Sequence, residues 1–443
     1  MDIGTWWFRN TGNKMKKTIQ ILMAGLMTGI LLACSSRKAD TDDPVTVELT
    51  DEFVITAFWG PPPAALSLEN YRKIKQAGID VLFPGNGIVN REDNLKALDL
   101  AEQAGIRLIP FDTRLLQYAR SPDMAIDTSV IEALIGDYKD HPALAGYVVR
   151  DEPSATLFPK LRDLCRLIRE RDPGHEPFIN LFPSYAGPER LGSVDFRSHV
   201  REFIDTVRPA VLSYDHYALR EPDTWYDLWF SDLAIVREEA RKAGIPFWIF
   251  IQAEGIRGGL RVPTRAEILW QVNTAVAYGA RGLGWFTYWT PEVNPGNPNA
   301  EQHYNAMVEV DGRPTEIYDY VREANRHIKS IGKGLIGWDN RYTARYEGGQ
   351  LQEGGSAPVI SPGGTEANLI IGTYSRDDRC RVLIANSRCD TATSFSPGLS
   401  PDWEWVGIIA SIESRQEDDD KPQGAWMLGP GGAVIFELKR KTP

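Results

Sequence analysis

At 443 residues the chain is long enough for one large domain and one small one. Its apolar content of 42 per cent is ordinary for a soluble globular protein, and its formal net charge of -11 argues against nucleic acid as a main partner, which would need clustered Lys and Arg. Aromatics are plentiful at 13 Trp, 16 Tyr and 16 Phe; packing accounts for most of them, but Trp exceeds what core filling requires, and flat rings at a site mouth can stack on the apolar faces of sugars.

The first 44 residues read as upstream sequence, targeting segment and tether, outside the fold. Lys16 and Lys17 precede an apolar run, Ile19 to Ala33, too short for a spanning helix. Leu31-Leu32-Ala33-Cys34 follows, and it resembles the lipobox of bacterial lipoproteins. The resemblance implies that Cys34 is acylated and becomes the first mature residue, with Met15 as the start. Ser35 in place of Asp resembles proteins sent on to an outer membrane. The expected location is therefore the cell envelope, with a membrane contact through the lipid and a polar tether, Ser36 to Pro44.

From residue 45 strands and helices alternate. Phe53 to Trp59 is expected as strand one, Val81 to Pro84 as two, Ile106 to Phe111 as three, and Ala145 to Val149 as four. Strand four ends in an abrupt charged tip, Arg150-Asp151-Glu152, stopped by Pro153; the same Asp-Glu-Pro could also cap a helix or close a loop. Phe178 to Phe182, Ala210 to Tyr214, Pro246 to Gln252 and Ala280 to Tyr288 complete the eight. Helices are expected between them, several ending in a Gly that leads into the next strand, as in QAGIDVL, QAGIRLI and KAGIPFW. Eight such pairs predict an α/β fold, a (β/α)8 TIM barrel over 45–336. A doubly wound sheet would carry a Gly-rich phosphate loop after strand one, where this chain has Trp59-Gly60-Pro61-Pro62-Pro63.

Residues 337–443 change character. Ala344 to Tyr346, Ala367 to Tyr374, Cys380 to Asn386, Val406 to Ile409 and Ala433 to Leu438 read as strands joined by Gly-rich turns. They predict a small antiparallel β-sandwich with an accessory or structural role. Cys165 reads as core. An extended segment would hold Cys380 and Cys389 roughly 30 Å apart at about 3.3 Å per residue, so no disulfide is expected. Neither the cysteines nor the six His have metal-ligand spacing, and no metal or cofactor is expected.

A barrel carries its active site at the C-terminal strand ends. The tips supply Trp59, Asn86, Asp112 and Arg114 from the first three strands, Arg150, Asp151 and Glu152 from the fourth, and Tyr185 from the fifth. Asp215, His216 and Tyr217 follow strand six, Gln252 and Glu254 strand seven, and Trp285, Tyr288 and Trp289 strand eight, with Glu292 just beyond. This is an acidic ring edged with aromatics. Glycoside hydrolysis needs two carboxyl groups flanking the scissile bond, and strands four and seven face each other across the mouth. Glu152 is the expected acid/base and Glu254 the expected nucleophile. A carboxyl separation of about 5 Å would mean retention, and roughly 6.5–9.5 Å inversion. Arg150 and His216 are candidate cations for keeping the nucleophile ionised.

On these residues the chain resembles the superfamily of retaining glycosidases with a (β/α)8 barrel and glutamates on strands four and seven, which includes cellulase-like and bacterial β-galactosidase-like enzymes. The resemblance implies a glycoside hydrolase acting on poly- or oligosaccharides, with Trp285 or Trp289 as sugar platform and Tyr217 steadying the nucleophile. The superfamily has Asn before the acid/base Glu, contacting the sugar hydroxyl beside the anomeric carbon; here that residue is Asp151. The departure motivates the alternative, a non-catalytic glycan-binding surface lipoprotein on the same barrel.

Overall fold

The computed structural model describes residues 53–292, 301–354, 360–363, 366–416 and 424–441. The lipobox with Cys34, the tether and the acidic run Glu417 to Asp420 lie outside the described residues.

Eight parallel strands form one sheet: β1 Val54–Phe58, β2 Val81–Phe83, β3 Arg107–Leu108, β4 Gly146–Asp151, β5 Glu176–Leu181, β6 Leu212–Asp215, β7 Phe247–Gln252 and β8 Gly282–Phe286. β8 pairs with both β7 and β1. A parallel bridge between Leu108 and Leu144 joins the two remaining edges, so the expected barrel closes. Each strand is followed by a helix: α1 Leu68–Gln76, α2 Arg91–Ala104, α3 Thr128–Tyr138, α4 Phe158–Arg171, α5 Phe196–Val207, α6 Tyr226–Ala243, α7 Arg265–Ala277 and α8 Glu316–Leu335. Gly105 and Gly244 end α2 and α6 with φ of 70° and 71°, the left-handed cap that only Gly adopts freely. Strand three is shorter than expected, and α5 starts earlier, at Phe196, where Asp195 caps it by accepting from Ser198 N.

The barrel has two apolar layers. Its lumen is filled by a cluster that includes Phe58, Phe83, Phe178, Trp248 and Phe250, with Phe58 4.4 Å from Phe250 and Phe83 4.7 Å from Phe178. Rings this large leave no room for side chains from β8. A Cβ at Gly282 or Gly284 would overlap Trp248 or Phe250. That is why strand eight reads Gly-Leu-Gly. Alternate residues such as Ile55, Leu82, Ile249 and Leu283 face the helices in a second, larger cluster.

The carboxy-terminal part is an antiparallel assembly of β9 Asp339–Glu347, β10 Gln350–Glu353, β11 Leu369–Arg376, β12 Arg379–Asn386, β13 Thr393–Phe395, β14 Trp403–Gln416 and β15 Trp426–Arg440. β15 pairs with β12, β13 and β14, and a core including Leu369, Val382, Trp426 and Phe436 lies within. β14 and β15 are far longer than the sequence suggested, because pairing carries β15 straight through Gly429-Pro430-Gly431-Gly432. The assembly sits on α7, whose residues from Glu267 to Ala277 are all buried. Asn273 Nδ2 donates to Gly431 O at 2.9 Å and Trp270 Nε1 to Ser387 O at 2.9 Å. Cys165, Cys380 and Cys389 are buried thiols, and Cys389 Sγ lies 2.9 Å from the Tyr226 hydroxyl. Among the described residues no helix is long and apolar enough to cross a membrane.

Candidate functional site

β4 delivers its charged tip through a bulge. The register with β5 slips between Val148 and Arg150, so Arg150 aligns with Ile179 and Asp151 with Asn180. The slip turns Asp151 toward a polar layer shared by β4, β5 and β6. Asn180 Nδ2 donates to Asp151 Oδ1 at 3.2 Å and to Asp215 Oδ2 at 2.7 Å, and Ser213 Oγ donates to Asn180 Oδ1 at 2.8 Å. Glu152 follows with φ of 47°, a left-handed conformation strained for a residue with a side chain; its N–H donates to Asn180 O at 2.8 Å.

These carboxyls compete for ionisation. Burial, then the neighbouring Asp151, pushes the Glu152 carboxyl up to about 8, while Arg190, 3.5 Å away, pulls it back. Burial, then Glu152 and Asp151, holds Asp215 well above the usual carboxylate range. Asp151 is raised by burial and lowered by its bond from Asn180. Glu152 is thereby the member of the cluster suited to hold a proton near neutral pH, which a general acid needs. Tyr217 closes this side: burial and the carboxylates keep its phenol protonated, and its ring lies 5.1 Å from Phe286 at the end of β8.

Glu254 stands just beyond β7. Ala253 N donates to Phe286 O at 2.7 Å, which ties the turn to β8. Gly255–Ile256 then pairs antiparallel with His303–Tyr304 from the loop after β8. A Cβ at Gly255 would press on the Tyr304 ring, so the close approach needs Gly there. The ribbon brings His303 Nδ1 to 2.7 Å from Glu254 Oε1. Glu254 is fully buried; burial raises its pKa, and the bond and charge of His303 lower it. Its Oε2 has no hydrogen-bond partner among the described residues. Trp59 lies 5.6 Å from the His303 ring and 5.3 Å from Phe286. A continuous line of contacts thus runs from Glu254 through His303, Phe286 and Tyr217 to the group around Glu152, and the charge of Glu301 acts on both glutamates.

Glu152, Asp151, Asp215 and Tyr217 act on one another at the ends of β4 and β6, and the buried Glu254 connects to them through His303 and Phe286. The structure uses most of the other expected site residues elsewhere. Asp112 and Arg114 pair with each other at 2.8 Å, and Arg114 reaches Asp137 on α3 at 2.7 Å, with the Tyr138 hydroxyl donating to Asp112 at 2.6 Å. His216 is fully buried with Nδ1 2.9 Å from Asp232 on α6, so His303, not His216, is the imidazole beside the expected nucleophile. Gln252 spends its amide on the carbonyls of Leu219, Glu254 and Arg261. Trp285 is fully buried and donates from Nε1 to Asn325 Oδ1 of α8 at 2.9 Å, which rules it out as an open sugar platform; Tyr288 and Trp289 belong to the same helix-side core. Asn86 donates to Gly60 O at 3.0 Å and braces the β1 loop. The bulge aligns Arg150 with the helix-side Ile179, and burial lowers its pKa.

Residues that the sequence reading did not place in the site are Asn180, Arg190, Phe286 and His303. Asn180 carried a usable signal, since it lies two residues after the lumen-facing Phe178 on a strand of period two. His303 carried none, because its approach depends on a ribbon between two distant loops. Two cavities elsewhere have other linings: one of about 710 Å³ beside Trp225, Tyr226 and Arg388, and one of about 310 Å³ beside Arg237, Arg281 and Trp338. Among the described residues no three His, Cys, Asp or Glu side chains are grouped to hold a metal ion.

No family model matches the chain, and no curated protein does. Solved structures do. A GH42 beta-galactosidase from G. stearothermophilus, determined as a catalytic mutant, superposes with a TM-score of 0.61 at 10% identity, covering 88% of this chain and 98% of that one. A beta-galactosidase from the psychrophilic Marinomonas ef1 gives 0.48 at 13% identity over 65% of this chain, which spans 61% of that enzyme. Native xylanase 10B from Thermotoga maritima gives 0.43 at 13% identity, covering 64% of this chain and 98% of that one. The likeness is one of fold: an eight-stranded barrel followed by an antiparallel β domain, a scaffold this chain shares with a glycoside hydrolase.

Proposed function

We propose that the chain is a glycoside hydrolase with Glu152 as acid/base and Glu254 as nucleophile. The observation that carries this reading is the different partner each carboxyl has, Asp151 beside Glu152 and His303 beside Glu254. Burial and Asp151 push the Glu152 carboxyl up to about 8, so it holds a proton to give. Glu254, at the end of β7, faces a potential cation, His303, at 2.7 Å. Burial raises both carboxyls, and the His303 contact offsets that rise at Glu254, the direction that separates a nucleophile from an acid.

In the first step Glu152 donates its proton to the glycosidic oxygen as that bond to the anomeric carbon breaks. Glu254 attacks the same carbon and forms a glycosyl ester. In the second step the Glu152 carboxylate takes a proton from water, water attacks the anomeric carbon, and the ester bond returns its electrons to Glu254. Trp59, Tyr217 and Phe286 furnish rings at the mouth for the sugar, in place of the buried Trp285. The substrate class is an O-linked poly- or oligosaccharide. The lipobox at Cys34 adds a second proposal, that this activity is tethered to the cell envelope by lipid.

Glu152→Gln and Glu254→Gln, assayed on a panel of chromogenic glycosides, should each lower turnover about 1,000-fold with circular dichroism unchanged. Unchanged turnover in either variant would sink the pair. One observation favours the alternative of glycan binding without cleavage: Asp151 sets a further carboxyl beside Glu152 and Asp215. Calorimetric binding of an oligosaccharide with no product after long incubation would support that alternative.

A further inference from the structure

We infer that His303 is a positioning residue for the nucleophile, delivered by the loop after β8, and that its positive charge keeps Glu254 ionised. The inference rests on the reading of Glu254 as nucleophile.

The geometry identifies the proton. An ionised carboxylate oxygen only accepts, so at 2.7 Å the Nδ1 of His303 carries hydrogen toward Glu254 Oε1. On the far side of the ring, Nε2 lies 3.6 Å from Glu301 Oε2. A second carboxylate there favours a second proton on the ring. The ring stands between two acids, one buried and one largely open to water. Trp59 at 5.6 Å and Phe286 at 6.1 Å also flank the ring.

The contact also fixes position. The paired backbones of His303–Tyr304 and Gly255–Ile256 hold the imidazole one residue from the nucleophile's own turn. Arg257 N donates to Gln302 O at 3.1 Å, and the Arg257 guanidinium lies 5.4 Å from the centre of the Tyr304 ring. With one carboxylate oxygen bonded to His303 and the other without a partner among the described residues, Glu254 has one oxygen committed and one to react. The ribbon therefore completes a catalytic group that β7 alone leaves buried without a counter-charge.

The test uses the full chain and whichever p-nitrophenyl glycoside the panel shows to be cleaved. His303→Ala should lower kcat about 100-fold, the scale of removing one oriented donor, with KM changed less than about threefold. The acid limb of kcat/KM should move up by roughly one pH unit, because Glu254 loses a nearby positive charge. His303→Asn places an amide N–H near the Nδ1 position without charge. It should recover about tenfold in kcat while the acid limb stays raised. A purely structural role would lower the unfolding midpoint and leave the acid limb in place. An unmoved limb in both variants, in a protein that Glu254→Gln inactivates, overturns this inference alone. Full turnover in Glu254→Gln overturns the reading beneath it.

Discussion

Replacing Glu152 by Gln tests the electrostatics of the mouth without any substrate. Burial and Asp151 raise the carboxyl from 4.5 to about 8, so the folded protein keeps a proton that the unfolded chain releases. A raised pKa of this kind gives stability that is fully present below about pH 4.5 and declines as pH rises. Above about 8 that contribution is gone. At 1.36 kcal/mol for each tenfold change in proton affinity, the ceiling is about 5 kcal/mol. The side chain keeps 33% of its surface open, and water screens it. Asp151 and Asp215 share the charge as well, so about 1–2 kcal/mol is the expected contribution. Urea unfolding of wild type and Glu152→Gln, followed by Trp fluorescence at pH 5 and pH 8.5, measures it. Wild type should lose about 1–2 kcal/mol more than the variant between these conditions. Equal losses would refute the argument that Glu152 is held protonated by its surroundings.

Trp285→Phe should cost about 1–3 kcal/mol in stability by stranding the buried Asn325 Oδ1, with KM unchanged. A raised KM at unchanged stability would restore Trp285 as a sugar contact. If the chain is lipid-anchored, cells expressing it should incorporate labelled palmitate and lose the label in Cys34→Ser; equal label in both would remove the anchor.

The barrel was legible because its punctuation is local. A left-handed Gly at the end of α2 or α6 needs no distant partner to be recognised, and each one announces the following strand. Glu152 and Glu254 were placed by the same local reading, as acids at the tips of strands four and seven. Direction was harder. Strands in a barrel are buried on both sides, so polarity does not tell lumen from helix face. Trp285 therefore read as part of the mouth, while its ring packs toward α8. The bulge in β4 changes the facing of Arg150 and Asp151 without changing a letter of the local pattern. Asp112, Arg114 and His216 were misplaced because Tyr138, Asp137 and Asp232, which engage them in turn, lie on helices more than a dozen residues further along. Charged tips can turn outward to such partners as readily as inward.

The helix α7 has no solvent face: the barrel covers one side and the carboxy-terminal strands the other, with Gly372 and Gly431 so close to its backbone that a methyl group would collide. The two halves of the chain are therefore expected to unfold in a single transition. Cutting at residue 337 would remove the partners of Trp270, Asn273 and Val276, and the severed barrel is expected to aggregate. Shuffling the trailing strands onto another enzyme would require carrying α7 along with them.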